Sequence, residues 1–390
     1  MKKTLITFLA VCCLFCKSFT QTGWLSLETE TEDALFELQC LGKDSLFMFG
    51  DYGTVLKSFD GGETFTDISY PTGAAGFAGF FINENIGFAS GPLGEIQRTI
   101  NGGEDWNIVD NCGCLITSIC FANENIGLYS GLAGTFRSID AGETWEDTPV
   151  TPGFLANKII SNGPAQFIII SDSVVIKSED GGINFEYITV NTLSNFPFTD
   201  MSFVDTEIGF VISADGLLFK TSDGGDMWNF VENVGHTDIE AIVFTTENNG
   251  FIVSNDTIIY KTTNGGADWI QDLITPYKIT NLEYDGAFVY ANGFVGVAYK
   301  NEVITSLDEH NISDQTFILY PNPATDQLFI KNPDVLTDIN FSIFAIDGTC
   351  IKNEILLNGN SINTSELLPG IYLIRIEING LSQNYYFEKL

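Results

Sequence analysis

The stretch KSFDGGETF at residues 57–65 returns five times without a gap, as RTINGGEDW (98–106), RSIDAGETW (137–145), KSEDGGINF (177–185), KTSDGGDMW (220–228) and KTTNGGADW (261–269). The central Asp or Asn falls at Asp60, Asn101, Asp140, Asp180, Asp223 and Asn264, in steps of 41, 39, 40, 43 and 41 residues. A period near 40 with several short apolar runs per unit is the pattern of a β-propeller, one four-stranded blade per repeat. Within a unit, a run such as DMSFV (200–204) leads into a turn such as DTEIG (205–209) and a second run such as GFVIS (209–213). A Gly-containing turn, GDYG (50–53) or GPLG (91–94), precedes a third run that ends at the Lys or Arg opening each box. No long 3.6-residue periodicity appears, which excludes helical repeats of similar length.

The box reads as a structural turn. Its Asp or Asn is suited to accept backbone N–H groups of its own turn, the glycines supply positive φ, and the closing aromatic is an apolar plug. Carboxylates and amides share the slot, so a charged catalytic group is not required there.

The basic residue before each box continues one step further, through Lys57, Arg98, Arg137, Lys177, Lys220, Lys261 and Lys300. The last lies in GFVGVAYKN (293–301), which no box follows. Trp24 lies 41 residues before Phe65, so the aromatic slot runs Trp24, Phe65, Trp106, Trp145, Phe185, Trp228, Trp269 and takes all five tryptophans. Strand 23–28 is therefore expected to complete the last blade, giving seven blades and a ring without an open sheet edge.

These segments resemble the Asp-box (bacterial neuraminidase) repeat, S-x-D-x-G-x-T-W, nearest in RSIDAGETW. With IGF or IGL before a G-x-x-G turn, the longer unit is similar to propellers of the photosystem II stability/assembly-factor family over residues 22–305, blade four (159–185) matching least. The resemblance implies a seven-bladed binding scaffold and carries over no partner.

The repeat ends before residue 317. LYPNPATDQLFI (319–330), FSIFAIDGTCIK (341–352) and INTSELLPGIYLIRIEING (362–380) are short strands between Asn-Pro, Asp-Gly and Pro-Gly turns, which predicts a small Ig-like β-sandwich over 317–390. Pro321, Asn322, Pro323, Asp347, Gly348, Leu368, Gly370, Ile371 and Tyr372 resemble the type A C-terminal sorting domain of the type IX secretion system of Bacteroidetes. That resemblance implies export across both membranes through the type IX machinery, with the domain normally cleaved. Residues 306–316, SLDEHNISDQT, form the expected linker and cleavage zone.

At the other end, residues 1–20 place Lys2 and Lys3 before the apolar run Leu5–Cys16, the layout of a signal peptide. The run is shorter than the ~20 residues of a membrane span, so no span is expected in the mature chain. Five cysteines then remain: Cys40, Cys112, Cys114, Cys120 and Cys350. Export permits disulfides, with Cys112 or Cys114 within reach of Cys120, and Cys40 and Cys120 read as buried thiols.

The 390 residues carry 51 Asp+Glu against 17 Lys+Arg, a net charge of −34. Such a field repels phosphate backbones and argues against nucleic-acid or anionic-membrane partners, while 44% hydrophobic residues argue against disorder. Region 21–316 holds 43 acidic and ten basic residues, seven of the ten in the slot before the box.

Candidate chemistry is thin. A sialidase holds its sugar carboxylate with three arginines, and Arg98, Arg137 and Arg375 cannot form that triad, two being repeat residues and the third in the sorting domain. His236 and His310 are the only histidines, which leaves His-centred triads and multi-His metal sites unsupported; His236 reads as a solvated loop residue. No catalytic, cofactor or metal residue is assigned. A ligand face is expected where the second-to-third-strand turns gather, at Asp51, Tyr52, Asp172, Asp215 and Asp256, with the loop holding Phe196 and Phe198. The reading is a secreted or cell-surface, non-enzymatic binding module for an extracellular glycan or protein. The competing readings are a glycoside hydrolase with two carboxylates in the funnel and a structural surface-layer component.

Overall fold

A computed structural model describes residues 23–70, 77–150, 156–172, 174–190, 196–255, 257–303, 318–320, 322–331, 339–345, 350–356, 361–378 and 381–390. The expected signal peptide and linker lie outside these residues. The chain divides into two compact units, Met1–Thr305 and Ser306–Leu390.

The first unit is a ring of seven four-stranded antiparallel sheets. Their innermost strands are Leu35–Cys40, Gly79–Phe81, Ile116–Phe121, Lys158–Ser161, Phe198–Phe203, Ile239–Phe244 and Ile279–Tyr284. The second strands, such as Leu46–Gly50, Phe167–Ser171 and Gly209–Ser213, are buried along their whole length. The N-terminal strand Trp24–Leu27 is the outer strand of the seventh blade, with Trp24 opposite Asn301 and Leu25 opposite Lys300. Trp24 is 1% exposed, donates to Asp272 (2.7 Å) and meets Phe251 edge-on. The expected ring closure is thus the one the fold uses.

Blades pack through aromatic side chains, with Phe47 stacked on Phe81, Phe88 on Phe121 and Phe210 on Phe244. This explains the Gly that opens several second strands: a Cβ at Gly87, Gly127 or Gly209 would meet the ring of Phe81, Phe121 or Phe203 at 2.5 to 2.6 Å.

The basic slot cross-links the ring. Lys57 donates to the carbonyl of Gly102 (2.7 Å), Arg98 to Ala141 (3.0 Å) and Arg137 to Gly181, each in the box turn of the next blade. Lys300 closes the circle on Gly61 (3.0 Å) and Glu63 (2.7 Å) of blade 1. These four heads satisfy turn carbonyls, Lys177 and Lys220 instead meet Asp226 and Glu247 of the next blade, and several ammonium groups lie over a second-strand ring, as Lys220 over Phe210 and Lys261 over Phe251.

The second unit is a two-sheet β-sandwich. Ile318–Tyr320, Gln327–Lys331 and Ser361–Asn363 form one sheet; Cys350–Leu356, Ile339–Ala345, Gly370–Ile378 and Leu381–Lys389 form the other. Its core holds Leu328, Phe341, Ile343, Ile374 and Phe387. Tyr372 stacks on Phe387 and donates to the Leu368 carbonyl (2.7 Å). Of the sorting motif, Asn322, Pro323, Gly370 and Tyr372 are described, whereas Pro321, Asp347 and Gly348 lie outside the described residues.

Candidate functional site

The box carboxylates are engaged in their own turns. Asp60 accepts the Thr64 amide (2.9 Å), the Thr64 hydroxyl (2.6 Å) and the Ser58 hydroxyl (2.7 Å), while Ser58 Oγ accepts the Gly62 amide (2.9 Å). Asp140 repeats this with Thr144 and Ser138. Hydrogen bonds from Thr64 and Ser58 hold Asp60 down at about 2, and those from Asn184 and Ser178 do the same for Asp180. Where the slot is Asn, the residue four positions on is Asp, and the side-chain bond reverses. Asn101 donates to Asp105 (3.0 Å) and Asn264 to Asp268 (2.9 Å). Each of these turns thus pairs one carboxylate with a donor, and Asp223 in turn accepts the Met227 amide (2.9 Å) and the Thr221 hydroxyl (2.7 Å).

The aromatic slot is a plug with a donor. Trp106, Trp228 and Trp269 give their Nε1–H to the carbonyls of Ile68 (2.8 Å), Gly225 (3.1 Å) and Gly266 (3.0 Å). Trp145 Nε1 is buried without a partner.

A charged cluster that the boxes give no hint of lies on the ring axis. Equivalent first-strand positions read Glu37, Ala78, Ser118, Lys158, Asp200, Ala241 and Asn281, in steps of 41, 40, 40, 42, 41 and 40 residues. Two residues later the same face reads Gln39, Phe80, Cys120, Ile160, Ser202, Val243 and Glu283. Several of these polar groups bridge to the next blade. Ser118 accepts the Ile159 amide (3.0 Å), Asp200 the Ile242 amide (2.8 Å) and Ser202 the Phe244 amide (2.9 Å). Innermost strands have no ladder partner on the axis side, so side chains satisfy their backbone instead.

Lys158 and Asp200 form an ion pair at 2.7 Å, with side chains 18% and 5% exposed. Glu37 and Glu283, from blades 1 and 7, act on the same ammonium through space. Burial pushes Glu37 up to about 8 and Glu283 up to about 7, against the pull of Lys158. Burial alone would lower Lys158, but Asp200, Glu283 and Glu37 together hold it above its ordinary value. The cluster opens on an axial cavity of about 340 Å³, lined also by Gln39, Cys40, Phe80, Ser118 and Cys120. Cys40 and Cys120 are free thiols, both raised by burial. No group of His, Cys, Asp and Glu among the described residues is arranged to hold a metal.

One expectation about cysteine is corrected: Cys112 is bonded to Cys114 within one loop, and neither reaches Cys120. His236 lies in a loop, half-buried, where it stacks on Tyr260 at 3.8 Å and partial burial lowers its pKa.

On the face of the second-to-third-strand turns, Tyr52 is 63% exposed and Asp172 is exposed. Asp51 is half-buried beside Asp33, burial and that neighbour raising its pKa. Asp215 is tied to Ser213 (2.6 Å), and Asp256 lies outside the described residues. Phe196 is exposed but Phe198 is 1% exposed, packed edge-on against Phe219, so it belongs to the core and not to the face.

Residues 318–386 match the family of the secretion system C-terminal sorting domain, and residues 185–302 match photosynthesis system II assembly factor YCF48. The photosystem II assembly lipoprotein Ycf48 of Synechococcus sp. (strain CC9902) is 23% identical over 214 residues, which is 52% of this chain and 63% of that protein. The chain thus spans less than two thirds of that relative. Among solved structures, YCF48 bound to D1 peptide is similar with a TM-score of 0.60 at 14% identity, over 72% of this chain and 95% of that one. YCF48 from Cyanidioschyzon merolae gives 0.56 at 15%, over 72% and 98%. The WD40 β-propeller domain of Doa1 gives 0.59 at 10%, over 73% and 99%. At these identities the structural likeness is one of fold.

Fold and tail together define an exported all-β propeller protein. More particularly, it is a propeller similar to the Ycf48 type, carrying a type IX sorting domain and delivered outside the cell or to its surface. No helix of the described residues is long and apolar enough to cross a membrane.

Proposed function

We propose that the propeller is a non-enzymatic binding module of the Asp-box type, exported behind a signal peptide in a member of the Bacteroidetes and recognising a protein outside the cell. One observation carries this reading: the repeated polar residues are engaged in the scaffold, box carboxylates in their turns and slot cations on the next blade. What differs from blade to blade is the face of loops holding Tyr52, Leu93, Leu132 and Phe196, all more than half exposed. The structural relative solved with a D1 peptide supports a polypeptide ligand over a polysaccharide.

A glycoside hydrolase is the second reading, favoured only by Glu37 and Glu283, two carboxyls with raised pKa values at one cavity. The deciding experiment incubates the purified full chain with a glycan array and with immobilised surface proteins, while assaying release of reducing sugar. Saturable binding to protein without sugar release is the expected result. Sugar release abolished by Glu37→Gln would replace the binding reading with the enzymatic one.

A further inference from the structure

Three turns on this face share the paired left-handed residues of a type I′ hairpin, with side chains at the first of them that turn chemistry does not explain. Asp51–Gly53, Pro92–Gly94 and Phe294–Gly296 are single 3₁₀ turns whose central residues are left-handed: Tyr52 at φ 58°, Leu93 at φ 60° and Val295 at φ 59°. Left-handed backbone favours Gly, Asn and Asp, and for a bulky or β-branched residue it is an outlier. The same connection in blades 4, 5 and 6 uses favoured types, Asp172, Gly216 and Asn255. Nor are the three side chains placed there for packing, since Tyr52 is 63%, Leu93 83% and Val295 41% exposed. Strained backbone and solvated apolar surface therefore coincide on three consecutive blades, 7, 1 and 2. Backbone strain of this kind concentrates at functional sites.

The three tips adjoin an aromatic cluster. Phe36 lies 4.9 Å from Phe77 and 5.8 Å from Phe294, ring centre to ring centre, and Phe77 and Phe294 are 39% and 37% exposed. Along one side runs the segment 28–33, ETETED, strapped to blade 7 by Thr29 on the Gly296 carbonyl (2.6 Å) and by the Gly296 amide on Asp33 (2.9 Å). Glu28, Glu30 and Glu32 point into solvent from this strap. The nearby Lys278 is turned to Glu240 at 2.7 Å.

Resting on the binding-module reading, we infer that the sector of blades 7, 1 and 2 is a docking surface for an apolar, basic segment of a protein partner. The apolar side chains of that segment cover Tyr52, Leu93 and Val295, and its Lys or Arg residues meet the acidic strap. Leu93 and Val295 offer no hydrogen bond to a sugar, and a second copy of a chain with net charge −34 would be repelled.

The test uses the full chain and fluorescein-labelled 14-residue peptides of Leu/Lys, Ser/Lys and Leu/Glu composition, read by anisotropy. The variant Tyr52→Asn/Leu93→Asn/Val295→Asn keeps the net charge and places a residue suited to left-handed backbone at each tip, so its melting point is expected to hold or rise. The Leu/Lys peptide is expected to bind at least tenfold tighter than either control and to lose at least tenfold on the triple variant. Glu28→Gln/Glu30→Gln/Glu32→Gln is expected to weaken binding and flatten its salt dependence. Undiminished binding to the triple variant overturns the inference, as does equal binding of the Ser/Lys peptide. A surface protein or glycan held equally by wild type and triple variant leaves the binding-module reading standing and removes this sector from it; no binding of any probe removes both.

Discussion

Glu37→Gln isolates the axial cluster with little change of shape. Glu37 ordinarily titrates near 4.5 and is raised to about 8 in the fold. Below 4.5 the carboxyl is protonated in both folded and unfolded chains and contributes no pH dependence. Between 4.5 and 8 the folded chain keeps a proton that the unfolded chain has released, so stability falls as pH rises, and above 8 the full penalty is present. Glu283 acts in the same direction between 4.5 and about 7. A tenfold difference in proton affinity between folded and unfolded chains is worth about 1.4 kcal/mol; Glu37 is half-buried against a polar cavity, which reduces its share to about 2 kcal/mol. Glu37→Gln is therefore expected to stay close to wild type at pH 5 and to exceed it by about 2 kcal/mol at pH 9, a rise in Tm of roughly 3–4 °C for a unit of this size. Calorimetric melts at constant ionic strength from pH 5 to 9 measure it. A Tm lowered at pH 9 would refute the reasoning, because it would mean that ionised Glu37 stabilises the fold through Lys158.

Three further comparisons test the scaffold. Lys300→Met removes the contacts to Gly61 and Glu63 that close the ring and is expected to cost about 1–3 kcal/mol. Lys220→Met, whose partner Glu247 is 53% exposed, should cost under ~1 kcal/mol by denaturant unfolding, and equal losses would contradict the clamp. Asn101→Asp sets two carboxylates against each other in one turn and should lower stability by about 1 kcal/mol at pH 7, with recovery when Asp105→Thr is added; an unchanged midpoint counts against the one-carboxylate pattern. Trp106→Phe should cost about 1 kcal/mol more than Trp145→Phe, because the first loses a hydrogen bond and the second removes an unpaired donor; the opposite order would be wrong for this geometry.

What could be read from the chain alone follows the range of the forces involved. A box turn satisfies itself within nine residues, from Lys57 to Phe65, so its chemistry is legible in the segment that contains it. The closing strand is legible because Trp24 occupies a slot whose other six members are plain. The axial cluster is not, because Glu37, Lys158, Asp200 and Glu283 come from four blades and each interrupts a short apolar run. Only the closed ring sets Lys158 against carboxylates from blades 1, 5 and 7. Aligning the first strands in the way the boxes align exposes that polar ring, though not which side chains pair across it. Tyr52 falls on the expected face, but its left-handed backbone is set only in the folded chain. Beside Asp51 and Gly53 it reads as an ordinary turn residue.

The strong acidity acquires a structural meaning from the same comparison. Seven of the ten basic residues of region 21–316 occupy the slot that links one blade to the next, and an eighth, Lys158, is enclosed on the axis with carboxylates around it. Cations are thus placed largely where the ring needs joining, and the outer surface is left to carboxylates. A binding function must then lie where blades depart from their repeat, since positions shared by six or seven blades are already engaged in holding the ring. Two departures stand out: the charged first-strand positions of blades 1, 4, 5 and 7, and the apolar turn tips of blades 7, 1 and 2. The first lines an axial cavity of about 340 Å³, and its protonation is tied to pH through Glu37. The second faces solvent beside the acidic segment 28–33, which makes it the surface where the proposed macromolecular partner would meet the turn tips.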